Sequence, residues 1–479
     1  MDDLQVATLE GPEAGLEGVA VEEFRGGLRG PCLTAGDDGY DDARVIWNGS
    51  VDKRPALIAR CSGAADVIDA VNFAREHNLL LAVRGGGHNV AGNAMCDGGL
   101  VIDLSTMNSV RVDPTARRAR VGGGALLGDL DRETQAFGLA APLGVVSLTG
   151  VAGLTLCGGL GWLRRKHGMA CDALVSVDIV TADGSFVTAS KTENPDLFWG
   201  VRGGGGNFGV VTSFEFELNP VGPMVTLCAP FYPLNDGAGD IIRRWRDFMA
   251  EAPEDISSQC LIWSIPAHPN FPEELHGTPV VITAAVHSGA LEDGERLIQP
   301  LRDLGEPVLD LSGPIPYTGV QTAFDPLFVK GERQNYWKSL YLDTLDDDAI
   351  GRIVARALDR PNPWALIALW HLGGAMNRVD PAETALGERR APYLYSLDTS
   401  WTDPADNESA IAWTREAWAE MKPFSRGGTY LNFLGQGEEA ETLLRASYGS
   451  ANYDRLVELK TKYDPTNLFR LNQNILPAQ

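Results

Sequence analysis

The sequence predicts an α+β fold in two domains. Three observations carry that expectation. Short apolar runs with the period of strands are mixed with stretches of helical period along the whole length. Three glycine clusters, at 85–87, 150–161 and 203–209, all fall before Pro220. After Pro220 the clusters stop and Pro and Trp become frequent, so the texture changes once. A chain of 479 residues suits one large domain or two of medium size.

Residues 1–40, rich in Gly, Glu and Asp, read as a leader with one short helix. From 45 to 60 a Trp-Asn-Gly turn feeds a strand. Residues 64–77 are helical, with Val67, Val71 and Ala74 on one stripe. A buried strand at 79–83 runs into Gly85-Gly-Gly-His-Asn89. A strand at 100–104 follows, then a hairpin, 109–113 and 118–122, across Pro114-Thr-Ala-Arg117. Helix 126–137 stops at Gly138. Strand 176–181 turns at Asp183-Gly184. Helix 194–200 leads through the third glycine cluster into strand 210–218, where Phe214, Phe216 and Leu218 alternate with Glu215 and Glu217. The second half reads as helix 238–250, strands near 259–265 and 279–287, helix 291–304, strand 393–400, helix 406–421, strand 430–434 and helix 451–462.

The chain is organised around 79–89. Glycine lets a backbone turn sharply and bring its N–H groups against a ligand. Such a concave run suits a phosphate or pyrophosphate, and His88 stands at its lip, a nucleophile beside a cofactor. Gly204–Gly209 matches Gly-x-Gly-x-x-Gly, but a helix precedes it and a strand follows, the reverse of a dinucleotide fingerprint. Tight packing is the better reading there. No Gly-Lys-Ser/Thr loop, Gly-x-Ser-x-Gly elbow or His-Glu-x-x-His is present. The seven cysteines are odd in number and form no Cys-x-x-Cys, which argues against a zinc site or a disulfide framework. Taken alone, Cys157 reads as a small inert hydrophobe. The net charge of −24 argues against nucleic acid and anionic membranes as partners. No signal peptide or bilayer-spanning stretch is read, so a cytoplasmic protein is expected.

Arg84-Gly-Gly-Gly-His-Asn89, the 150–161 cluster, the 203–211 stretch and the tail Tyr463-Asp-Pro-Thr-Asn-Leu-Phe-Arg-Leu-Asn-Gln-Asn-Ile475 together resemble the FAD-linked oxidases of the berberine bridge enzyme-like group, within the vanillyl-alcohol oxidase type flavoproteins. The resemblance runs from about Val45 to the C-terminus. It implies an FAD-binding domain of two α/β subdomains over 1–220 and a substrate domain, an antiparallel sheet covered by helices, over 221–430. A C-terminal segment, 431–479, returns to the FAD-binding domain.

For the cofactor the resemblance implies FAD contacts from Arg84, Gly85, Gly86, Gly87, His88, Asn89 and Gly92, and from Thr149, Gly150, Gly153, Cys157, Gly158 and Gly159. Val210, Asn472 and Asn474 complete the set. His88 matches the histidine bonded to the flavin 8α-methyl carbon. Part of the family adds a cysteine link at flavin C6; Val146 stands at that cysteine's place and Cys157 where glycine is usual, so one link is expected. For catalysis the implied residues are Tyr430, His371 and Asn432, with Tyr317 and Tyr395 behind them. Phe433 replaces the tyrosine base of some plant relatives.

The implied reaction moves a hydride from an alcohol, sugar or amine carbon of a small molecule to flavin N5, then to O2, giving H2O2. The alternatives are a dehydrogenase of the same fold with another acceptor, and a flavin-carrying protein without turnover.

Overall fold

In the computed structural model, which describes residues 3–11, 13–235, 237–435 and 441–478, three sheets surround one space. The first has four strands. Leu57–Arg60, Leu100–Asp103 and Leu81–Arg84 run parallel, and Cys32–Leu33 closes the edge antiparallel. Parallel strands covered on both faces need near-continuous apolar runs, and Leu-Ile-Ala and Leu-Val-Ile supply them. The crossover helix Ala64–Glu76 buries Val67, Ala70, Val71 and Ala74 against this sheet.

The expected leader is instead a packed element. Leu4–Ala7 pairs with Glu13–Leu16, and the helix Gly18–Gly27 lays Phe24 flat on Phe73, with ring centroids 4.1 Å apart. Val6, Leu16 and Val21 are buried there, so too few apolar residues were visible in a Gly- and acid-rich text to betray the contact.

The second sheet has five antiparallel strands: Phe186–Ser190, Leu174–Val180, Val210–Glu217, Arg118–Gly122 and Val110–Asp113 in that order across it. The third cluster packs tightly between the helix Pro195–Val201 and the strand Val210–Glu217. A Cβ on Gly204 would sit 2.5 Å from the Gly200 carbonyl, and one on Gly209 2.3 Å from that of Val180.

The third sheet is antiparallel and has nine strands. One face carries the helices Ala238–Glu251, Leu291–Arg302, Asp347–Leu358 and Asn407–Met421, whose Trp245, Leu301, Ile353 and Trp413 share a core with Ile262, Ile367, Leu369 and Tyr395. The other face looks toward the first two sheets. Arg164, wholly buried, ties the two halves. It donates to the carbonyls of Gly161, Ser258 and His371 and lies 5.3 Å from the centre of the Trp370 ring.

The segment read as strand 430–434 is a short 3₁₀ turn, Leu431–Phe433. Its Tyr430 N–H donates to a side chain, Ser339 Oγ, and its Phe433 N–H to the Tyr430 carbonyl. The tail then lays Leu444, Tyr448, Leu456 and Ile475 against Phe198 and Phe208 of the second sheet's core. A buried Lys460–Asp464 pair, 2.7 Å, fixes its end: Asp464 accepts the N–H groups of Leu468 and Phe469, and Lys460 donates to the Asn207 and Phe469 carbonyls.

Candidate active site

The strand Leu81–Arg84 ends where three glycines let two loops touch backbone to backbone. A Cβ on Gly86 would lie 2.4 Å from Gly150 Cα, and Gly87 turns with φ +68°. Beyond them His88 stacks on Trp47, with ring centroids 4.3 Å apart and planes 13° from parallel. Its Nε2 is buried without a partner, and burial pushes its pKa down to about 4. The imidazole is therefore neutral near pH 7 and keeps a lone pair.

A cavity of about 280 Å³ runs from this loop to the third sheet. Of the expected cofactor residues, Gly85, Gly86, Gly87, His88, Asn89, Thr149, Gly150, Gly153, Cys157, Val210 and Asn472 line it. Arg84, Gly92, Gly158, Gly159 and Asn474 do not, and the first four serve the loops around it. The Arg84 guanidinium holds the Ala43 carbonyl, and the Gly92 carbonyl accepts from Lys53. Gly158 and Gly159 turn with positive φ, and a Cβ on Gly159 would meet Ala170 at 2.5 Å. Asn474 is half-buried, with an Oδ1 that has no partner. Cys157 lies 3.7 Å from Gln473 Oε1, and burial holds its thiol up to about 12, so it is not a thiolate. Val146 also borders the cavity.

Two of the three expected catalytic residues reach this space. The Tyr430 hydroxyl accepts from Gly159 N–H at 3.1 Å, Leu160 N–H at 3.0 Å and Asn432 Nδ2 at 2.9 Å. Asn432 Nδ2 also donates to the Leu154 carbonyl. Burial drives the Tyr430 phenol well above its ordinary pKa, outweighing these hydrogen bonds. His371 does not reach the cavity. Successive strand residues point to opposite faces, and Trp370 takes the cavity side. The His371 ring packs edge-on against Trp245 and Tyr393 under the helices, where burial, then Arg165 and Arg164, hold its pKa down to about 3. Tyr395 faces those helices as well, and Tyr317 is buried near Asp131, away from the cavity.

Sequence reasoning missed Asp398. It sits on the strand Tyr393–Trp401, between Trp337 and Leu366 on the neighbouring strands, and faces the cavity. Its Oδ1 is buried without a partner, and burial raises its pKa to about 7. The signal was a single acidic residue in an otherwise apolar and hydroxylic strand, Tyr-Leu-Tyr-Ser-Leu-Asp-Thr-Ser-Trp.

A glycine-walled cleft, an unpartnered buried imidazole and the free Oδ1 of Asn472 fit a large ligand with a polar spine and a flat ring. The family described as "FAD binding domain" matches residues 55–190, and that described as "Berberine and berberine like" matches 429–476. The chain is 33% identical over 464 residues to the (R)-6-hydroxynicotine oxidase of Paenarthrobacter nicotinovorans, spanning 94% of this chain and 97% of that one. It is a berberine bridge enzyme-like FAD-linked oxidoreductase. The xylooligosaccharide oxidase of Thermothelomyces thermophilus is a relative at 30% identity, over 96% of this chain and 95% of its own. The crystal structure of 6-hydroxy-D-nicotine oxidase from Arthrobacter nicotinovorans superposes with a TM-score of 0.83 at 31% identity, covering 94% and 98% of the two chains. In this berberine bridge enzyme-like chain, the first family match contains both touching glycine loops, and the second contains Tyr430, Asn432, Asn472 and Asn474. No helix among the described residues is long and apolar enough to cross a membrane.

Proposed function

We propose that this oxidoreductase is an oxidase. It carries FAD covalently on His88, takes a hydride and a proton from an alcohol, sugar or amine carbon, and passes the electrons to O2 as H2O2. The observation that carries the reading is one continuous cavity with His88 and the glycine walls at one side and Asp398 on the sheet opposite. Bound there, FAD supplies a two-electron acceptor. The chain supplies the rest. Gly86 and Gly150 let the two loops that wall the cavity close on each other, and Asn472 offers an unused oxygen. His88, neutral and unpartnered at Nε2, has the lone pair that a bond to carbon requires. A protonated Cys157 and an apolar Val146 favour a single link.

Asp398 takes the substrate proton. Its pKa of about 7 makes it a far stronger base than a solvated carboxylate while leaving it partly ionised at neutral pH. Asn432 and Tyr430 position the wall, since their polar atoms are engaged with each other and with the Gly159–Leu160 backbone. In this reading 1–220 and 431–479 form the flavin side and 221–430 the substrate side.

The test is a panel of alcohols, sugars and amines under nitrogen, followed by air. Bleaching of the flavin by one of them, then recolouring in air with one H2O2 per flavin, is the expected result. Recolouring only with an added dye acceptor would make the protein a dehydrogenase.

A further inference from the structure

We propose that Trp47 is the positioning residue that sets the His88 ring for its bond to FAD, and that attachment fails without an aromatic face there. This rests on the covalent reading above. It concerns a residue outside the cavity, since His88 borders that space and Trp47 does not.

A histidine ring that must present one nitrogen is usually turned by a hydrogen bond at the other, to a carboxylate, a carbonyl or water. His88 has no such handle at Nε2, which is buried without a partner. Burial and a hydrogen bond with its own backbone are what act on its charge, and no carboxylate is among the causes. The plane of the ring is therefore left to packing. The Trp47 indole supplies that packing, with ring centroids 4.3 Å apart and planes 13° from parallel. Phe328, the other ring near His88, is 6.4 Å away and tilted by 33°. A face-on neighbour at stacking distance stops the imidazole from turning about its last torsion, because an edge would have to enter the indole.

The Trp-Asn-Gly turn holds that indole still. Trp47 N–H donates to the carbonyl of Gly87, the residue before His88, at 3.0 Å, and its own carbonyl accepts from Gly331 N–H at 3.0 Å. Asn48 Nδ2 donates to the carbonyls of Val90 and Asn335 at 2.7 and 2.9 Å, and Asn48 Oδ1 accepts from Asn335 N–H. Trp337 closes on the indole edge-on at 5.2 Å. The turn thus ties the loop that bears His88 to the strand Gln334–Leu342 of the third sheet, and the imidazole is set once those two halves are docked.

The step itself joins an imidazole nitrogen to the flavin 8α carbon. The methyl group gives up one hydrogen and the imidazole its N–H hydrogen. These leave as two protons and two electrons and end on O2 as H2O2. Trp47 exchanges nothing in that step. Its contribution is orientation, where a misplacement of about 1 Å can cost on the order of 10²-fold in rate.

The test compares the parent, Trp47→Phe and Trp47→Leu, each purified with the flavin it carries. Absorbance gives total flavin, the yellow colour of the acid pellet gives the covalent share, and the melting temperature reports folding. The parent and Trp47→Phe, which keeps an aromatic face, should hold nearly all their flavin in the pellet. Trp47→Leu should bind FAD while its covalent share falls to about a tenth of the parent's or less. Trp47→Met takes its place should the leucine variant fail to fold. A leucine or methionine variant attached as fully as the parent would overturn the role of Trp47 and leave the His88 link standing. So would a phenylalanine variant that does not attach. A folded leucine variant that binds no FAD at all would also overturn it, since Trp47 would then act on binding rather than on attachment. A colourless parent pellet would remove the link and this role together.

Discussion

Burial moves the pKa values of His88 and Asp398 in opposite directions: it keeps the His88 imidazole neutral, and it delays ionisation of Asp398 while making its carboxylate a stronger base once formed. Water is excluded from both, so the neutral form gains: imidazole at His88, carboxylic acid at Asp398 until the pH approaches about 7. For His88 the consequence is chemical. Acid precipitation of the parent protein should leave the yellow colour in the pellet, and His88→Ala should release it to the supernatant. A colourless parent pellet would remove the covalent link. For Asp398 there is also a stability consequence. The unfolded chain gives up this proton near the ordinary carboxylate range, about pH 4, whereas the folded chain holds it to about pH 7. Between those limits the folded state binds more protons, so stability falls as pH rises through the window. Asp398→Asn removes that loss. Its melting temperature should exceed the parent's at about pH 8, and the gap should close near pH 4. Equal gaps at both would contradict the burial argument.

Among the elements, the turn at Tyr430 shows what sequence patterning can and cannot carry. Tyr-Leu-Asn-Phe-Leu alternates like a strand, yet the segment turns as a 3₁₀ helix, and bonds to the side chains of Ser339 and Tyr430 fix it. Tyr430→Phe should leave the Gly159 and Leu160 N–H groups without their acceptor and cost about 1–3 kcal/mol, seen as a lower melting temperature with FAD still bound. No change in melting temperature would mean that water or the ligand satisfies those groups.

The glycine loops were legible because only glycine allows Gly86 and Gly150 to touch. The helices Ala64–Glu76 and Ala238–Glu251 were legible because each has one apolar stripe. The strand Gln334–Leu342 was not, because every one of its residues is buried and a strand covered on both faces loses its alternation. The same blindness hid Asp398 and misplaced His371. Which face looks at the flavin side depends on register, and register is a relation between distant strands.

At the scale of the whole molecule, a net charge of −24 is spread over a surface whose core is held by apolar packing and by links such as Arg164 between the two halves. Like charges at that density repel, and the Debye length falls to about 8 Å at physiological ionic strength. Adding salt from a few millimolar to roughly 0.15 M should therefore raise the melting temperature; a fall would point to ion pairs outweighing the repulsion. The halves must stay in register because the proposed reaction needs a flavin held from the His88 side and a base presented from the sheet. Rapid mixing of the loaded enzyme with a reducing alcohol under nitrogen, parent against Asp398→Asn, measures that arrangement most directly. The parent's flavin reduction should quicken as pH rises through about 7, and the variant should be slower by about 10²–10⁴ with its FAD still attached. Equal reduction rates in the two proteins would contradict the account.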